Sequence, residues 1–156
     1  MNATIGHVHL KVSDLERSLA FYRDVLGFEV TQKLGGQAAF LSTDGYHHHL
    51  GLNTWESGGG RPPAPGTTGL YHVALLFPSE AEMAAAVRRV LTAGFPLEGA
   101  ADHGVSEAVY LKDPDGNGVE LYWDKPKEEW PRKADGSLAM FTAPLDLERL
   151  LLSGNK

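Results

Sequence analysis

Gly6-His7-Val8-His9-Leu10-Lys11-Val12 returns 65 residues later as Tyr71-His72-Val73-Ala74-Leu75-Leu76-Phe77. In each copy a histidine opens a short apolar run, and recurrence at this spacing marks a small unit present twice. Ser13-x-x-Glu16 and Ser79-x-x-Glu82 follow at offset 66. Each has the form of a capping box, in which the serine oxygen accepts from a backbone N–H that the first helical turn leaves orphaned. Leu15, Leu19, Tyr22 and Leu26 give the first helix one apolar face, and Met83, Val87, Val90 and Leu91 give the second its own. Gly27 and Gly94 stop the two helices at offset 67.

Short apolar or alternating runs come after each helix. They lie around Phe28 to Gln32, Gln37 to Leu41 and His48 to Asn53, then around Phe95 to Leu97, Ala108 to Leu111 and Val119 to Trp123. Each half therefore reads strand, helix, three strands, an α+β pattern. Asp44-Gly45 and Asp115-Gly116, offset 71, supply the tight turn before the last strand, because Asp-Gly tolerates the positive φ of a hairpin. An offset that climbs from 65 to 71 is what small insertions into a duplicated unit produce. The boundaries follow as a first module over about 4–56, a linker over 57–69 that is rich in glycine and proline, and a second module over about 70–123. The tail, 124–156, has no counterpart in the first half and reads as packing or interface, with a short helix from Asp146 to Leu152.

A chain of 156 residues, 42% hydrophobic and 22% charged, has room for one domain with a proper core. A net charge of −6 lacks the basic excess that nucleic acid or an anionic membrane would require. No apolar stretch approaches the length of a membrane span, so a soluble, cytoplasmic protein is expected. With no cysteine, disulfides and thiolate chemistry are excluded, and any metal must take nitrogen and oxygen ligands.

The repeat sorts the histidines. His7 and His72 are mates; counted from the two Asp-Gly turns, four residues reach His49 in one half and Glu120 in the other, which makes these mates as well. If the halves pair about a pseudo-two-fold axis, such residues converge. Alternation in Val119-Glu120-Leu121 turns Glu120 away from its apolar neighbours, and the same reasoning sends His47, His49 and Gly51 to one face and His48, Leu50 and Leu52 to the other. A carboxylate in so apolar a strand is costly to bury without a cation. His7, His72 and Glu120 are thus the expected ligands of one metal ion, two imidazoles and a carboxylate that leave open positions, as in non-haem Fe(II) oxygenases; Mn, Ni or Zn suit the same set. His9 is expected to line a pocket or lie exposed.

At this point the chain resembles the vicinal oxygen chelate superfamily of glyoxalase I, fosfomycin and bleomycin resistance proteins and extradiol ring-cleaving dioxygenases. The markers are His7-Val8-His9-Leu10-Lys11-Val12-Ser13-Asp14-Leu15, Phe21-Tyr22-Arg23-Asp24-Val25-Leu26-Gly27-Phe28 and Asp113-Pro114-Asp115-Gly116-Asn117-Gly118-Val119-Glu120, within a match over about 4–123. The resemblance implies one domain of two paired βαβββ modules, forming an open, cupped mixed sheet around a metal site.

Three features are most similar to catechol 2,3-dioxygenase-type proteins. Gly45-Tyr46-His47-His48-His49-Leu50-Gly51 looks like their acid/base histidine segment, where either His48 or His49 matches and alternation favours His49. His103-Gly104-Val105-Ser106 resembles their second histidine motif, and Tyr110 stands ten residues before Glu120, where they place a tyrosine; its repeat mate is Phe40. The resemblance then implies a metal-dependent extradiol dioxygenase that takes a small aromatic diol and O2, with Fe(II), or alternatively Mn(II), Ni(II) or Zn(II), and a homodimer as assembly. It also admits a glyoxalase-like isomerase or thiol transferase with His49 as fourth ligand, or a metal-free binding protein of the bleomycin-resistance type.

Overall fold

The first half of the chain meets the strand, helix, three-strand expectation, and its local signals show why. In the computed structural model, which describes residues 1–155, strand β1 (Val8–Lys11) leads into helix α1 (Leu15–Leu19). The cap is Asp14 rather than Ser13: its carboxylate accepts from the Arg17 N–H at 3.0 Å, while the Ser13 hydroxyl accepts from the Arg17 guanidinium. Aspartate caps as well as serine and adds a charge that the helix N-terminus favours. Over Ala20–Val25 the helix widens into a π turn, in which the Leu26 N–H donates to the Phe21 carbonyl at 3.0 Å. Gly27 then stops the helix at φ 91°, as Gly94 does in the second half at φ 87°.

Strands β2 (Glu29–Leu34), β3 (Ala38–Ser42) and β4 (Leu50–Asn53) complete a four-stranded sheet in the order β1-β4-β3-β2. Only β1 and β4 run parallel. Leu10, Val12, Leu41 and Leu52 from the sheet side and Leu15, Leu19, Phe21 and Tyr22 from the helix are all buried in the core of this unit. The turn Asp113–Asn117 belongs with residues 1–69 in one compact unit. The Tyr22 hydroxyl donates to Asp113 at 2.7 Å, and Asp115 accepts from the Arg17 guanidinium at 2.7 Å and the Ser13 N–H at 3.2 Å. Burial first, and then the Asp113 carboxylate, push the Tyr22 phenol well above its ordinary pKa.

The second unit, residues 70–112 and 118–155, repeats the plan. Strand β5 (Val73–Phe77), helix α2 (Glu80–Thr92), β6 (Leu97–Asp102), β7 (Ser106–Lys112) and β8 (Gly118–Asp124) form a sheet in the order β5-β8-β7-β6, again with only the first pair parallel. Here the capping box is as expected, with the Ser79 hydroxyl accepting from the Glu82 N–H at 3.2 Å. Register slips occur at matching places, between Val30 and Gln32 and between Leu97 and Gly99. The tail adds a fifth strand, β9 (Ala143–Pro144), on the edge of β6, and a helix α3 (Leu147–Leu152) against α2. The fold class is α+β with two mixed sheets. Among the described residues no helix is long and apolar enough to cross a membrane.

Sheet register corrects one equivalence. His9 lies beside Gly51 and Phe40 beside Gly51, while Ala74 lies beside Glu120 and Tyr110 beside Glu120. Since His9 and Ala74 are mates, as are Phe40 and Tyr110, the mate of Glu120 is Gly51 and not His49. The count from the Asp-Gly turns fails because the connection between β3 and β4, residues 43–49, is longer than the turn 113–117. The offset therefore does not climb throughout: it drops back to 69 at Gly51 and Glu120.

Candidate active site

Four of the expected residues meet in the second unit as one chain of contacts. His72 immediately precedes β5, and Glu120 stands on β8 between the buried Val119 and Leu121, so alternation turns its carboxylate to the other face as expected. Glu120 Oε2 lies 2.9 Å from His72 Nε2, with the side chains 13% and 32% exposed. The Tyr110 hydroxyl lies 3.4 Å from Glu120 Oε1 and 2.7 Å from His103 Nε2. Burial first, and then the charge on Glu120, raise the pKa of Tyr110.

In the first unit His7 is exposed, and its ring lies 4.3 Å, centroid to centroid, from that of His48. His48 also meets the edge of Phe40 at 5.0 Å, and its Nδ1 faces His47 Nδ1 at 2.7 Å. Burial, followed by the neighbouring imidazoles with His7 first, lowers its pKa. His49 makes a different set of contacts. Strand β4 begins at Leu50, so His47 and His48 belong to a loop where strand alternation does not apply, while the His49 backbone still bonds both neighbouring strands, donating to the Leu41 carbonyl at 2.8 Å and accepting from the Val8 N–H at 3.0 Å. His49 turns back on that loop, with Nε2 3.6 Å from Asp44 and Nδ1 3.4 Å from the Ser42 hydroxyl and the Thr43 N–H.

His9 has a definite seat. Asn53 accepts from the Trp55 N–H at 3.1 Å, which orients its amide so that Nδ2 donates to His9 Nε2 at 2.8 Å. The ring fills the space above Gly51, where a Cβ would come within 2.6 Å of His9 Nδ1. Partial burial, and then His7, lower the His9 pKa. His9 borders a cleft of about 440 Å³ with Lys11, Ser13, Glu56, Arg61 and Asp115; His7, His48 and His49 do not line it.

Donor chemistry and placement in the second unit fit a divalent cation. An imidazole nitrogen and a mostly buried carboxylate face each other there, an arrangement that a cation stabilises. Among the described residues no group of three or more His, Asp or Glu side chains is assembled to hold a metal ion. His72 and Glu120 are brought together, and His7 has its own neighbours in the first unit. Sequence reading missed the contact of Phe141 with His103, whose Nδ1 lies 3.1 Å from the Phe141 carbonyl, because nothing in the tail marks a partner 38 residues away.

The two βαβββ units and the His72–Glu120 pair define a class, and the chain belongs to the glyoxalase/bleomycin resistance protein/dioxygenase superfamily, whose model matches residues 4–121. It is 44% identical over 147 residues to the catechol-2,3-dioxygenase of Bacillus subtilis (strain 168), covering 94% of this chain and 50% of that protein. It is 33% identical over 120 residues to the biphenyl-2,3-diol 1,2-dioxygenase 3 of Rhodococcus globerulus, covering 77% of this chain and 63% of that one. The chain thus spans about half the length of the first of these relatives and under two thirds of the second. Among solved structures, the lactoylglutathione lyase from Agrobacterium tumefaciens superimposes with a TM-score of 0.60 at 29% identity, covering 78% of this chain and 93% of that one.

Proposed function

We propose that the protein is an extradiol ring-cleaving dioxygenase, which opens a small aromatic diol with O2 at the bond next to the two hydroxyls. The observation that carries this reading is the glycine at the position equivalent to Glu120. A glyoxalase-like site with four protein ligands needs a donor there, and Gly51 offers none, with the His9 ring already over it. A set of two imidazoles and one carboxylate keeps positions open for a chelating diol and for O2. The relatedness to catechol and biphenyl-diol dioxygenases supports the same reading.

In this proposal His72, Glu120 and, as the repeat mate of His72, His7 hold the ion. Fe(II) is the first choice and Mn(II) the second. When bound, the ion supplies Lewis acidity toward the vicinal oxygens and open coordination positions. His48, which lies against His7, takes a proton from the diol and returns it during ring opening, a task suited to an imidazole that burial and neighbouring imidazoles keep neutral and able to accept. His49, engaged with Asp44 and Ser42, is the alternative for that role. Tyr110, hydrogen-bonded to His103, offers its phenol oxygen to the diol or its oxygenated product.

The test is anaerobic loading with Fe(II), followed by admission of air over a panel of catechols and 2,3-dihydroxybiphenyl. A yellow ring-fission product that carries both atoms of labelled O2 is expected. Full iron occupancy with no product across the panel would overturn the proposal.

A further inference from the structure

The tail has no counterpart in the first half, yet it closes around one short turn, Asp102 to Val105, the turn that carries His103. Strand β9 pairs with the end of β6, Ala143 beside Asp102 and Pro144 beside Ala101. Two residues before that strand, Phe141 grips His103 twice. Its N–H donates to the His103 backbone carbonyl at 3.3 Å, and its own carbonyl faces His103 Nδ1 at 3.1 Å. The Phe141 ring and Pro131 press on Gly104, where a Cβ would come within 2.6 and 2.7 Å of them. From the other side, Asp102 accepts from the Gly104 N–H at 2.8 Å and from Lys125 Nζ at 2.8 and 2.9 Å, and Trp130 Nε1 donates to the Lys125 carbonyl at 2.8 Å.

We infer that the tail, through the Phe141 peptide group, is a positioning element that fixes the tautomer of His103 and so the direction of the Tyr110 hydroxyl proton. A backbone carbonyl only accepts, so the ring nitrogen facing it carries the hydrogen. In a neutral imidazole the other nitrogen, Nε2, then bears a lone pair and takes the Tyr110 proton across 2.7 Å as a hydrogen bond. One hydroxyl has one proton; committed to His103, it does not also reach Glu120 at 3.4 Å. The Glu120 carboxylate is thereby left with its full accepting capacity on that side, for a cation or a ligand. With the opposite tautomer Nε2 becomes a donor, Tyr110 turns its proton to Glu120, and that oxygen is occupied. A segment outside the repeated module thus sets the hydrogen-bond polarity of the chain His103–Tyr110–Glu120. The consequence for turnover rests on the dioxygenase reading; the tautomer itself does not.

The experiment is long-range proton–nitrogen NMR of the His103 ring in the full chain, wild type against Phe141→Gly and Gly104→Ala. Phe141→Gly removes the ring that seats the peptide group, and Gly104→Ala pushes that ring away. Helix α3 keeps its own anchor through Arg149 and the buried Leu150, so the tail remains attached in both. The expected result is protonation at Nδ1 in wild type and its loss or averaging in both variants, with circular dichroism unchanged. Protonation at Nε2 in wild type, or the same tautomer in all three proteins, would overturn the inference. If catechol turnover is found, the variants, compared with wild type at equal metal occupancy, lower kcat several-fold at unchanged KM. If none is found in wild type, the dioxygenase reading fails while the NMR result still decides the inference.

Discussion

His48 and His7 lie ring against ring, 4.3 Å between centroids, while His49, one residue on, points at Asp44. Two adjacent imidazoles of identical chemistry are thus given different surroundings by a loop. Under the proposed function, placement decides which of them serves substrate. His48→Gln is expected to lower kcat/KM on a catechol by about 10²–10⁴, the span usual for loss of a general acid/base. His49→Gln is expected to change it by less than roughly tenfold, since it loses contacts within the loop and not with the ligand. Steady-state kinetics on both variants check this, and the reverse ranking would move the acid/base role to His49.

Under the proposed function His72, Glu120 and His7 are expected to contribute alike to metal retention. His72→Ala and Glu120→Gln each remove a donor, and affinity should fall by more than the roughly 10–100-fold that an outer hydrogen-bond partner costs. His103→Gln, by comparison, should stay within that range, because it reaches Glu120 only through Tyr110. His7→Ala should behave like the first pair. Competition with a fluorescent chelator measures all four; undiminished affinity in His7→Ala would remove it from the ligand set.

The Asp102 carboxyl is held below its ordinary pKa of 3.8: partial burial works against its charge, but hydrogen bonds from Lys125 and the Gly104 N–H outweigh that. A pKa depressed by folding stabilises the native state above the unfolded value, and that stabilisation is lost as pH falls through the lower folded value. Lys125→Met should therefore cost about 1–2 kcal/mol at neutral pH, between the values for exposed and buried pairs. The gap from wild type should close as pH drops below 3.8. Urea midpoints across pH 7 to 3 report it, and a gap independent of pH would mean that Lys125 acts through packing alone.

Particular residues show how far the amino-acid order reaches. The His7–His72 repeat, the stops at Gly27 and Gly94 and the sheet plan are all legible in it, since apolar periodicity and turn residues act locally. The equivalence of Glu120 with Gly51 is not, because loop length is invisible in a count from the turn, and hydrogen-bond register alone reveals the extra residues. The contacts of His48 and His49 escape for a related reason: alternation does not govern the loop that carries His48, and it does not reveal that the His49 ring turns to Ser42 and Asp44. The grip of Phe141 on His103 and the turn of Asp113 to Tyr22 are tertiary contacts of polar groups, which leave no period in the sequence.

Arg149 on α3 forms the remaining test, of how the tail is fastened. Its guanidinium donates to both oxygens of Glu107 at 2.8 Å and to Glu80 at 2.7 Å, and Glu107, with 7% of its side chain exposed, also accepts from Trp123 Nε1 at 3.2 Å. The Glu107 bond first, opposed by partial burial, raises the Arg149 pKa, so the guanidinium stays charged. Arg149→Met leaves a buried carboxylate with only the indole as donor. Breaking a fully buried pair costs about 3–5 kcal/mol; with 46% of the Arg149 side chain exposed, about 1–3 kcal/mol is expected here. Replacing both partners, Arg149→Met with Glu107→Leu, removes the orphaned charge and should recover part of that loss. Urea unfolding of the single and double variants measures both quantities. A double variant no more stable than Arg149→Met would show that α3 is held by Leu150 and its apolar neighbours, with the ion pair contributing little.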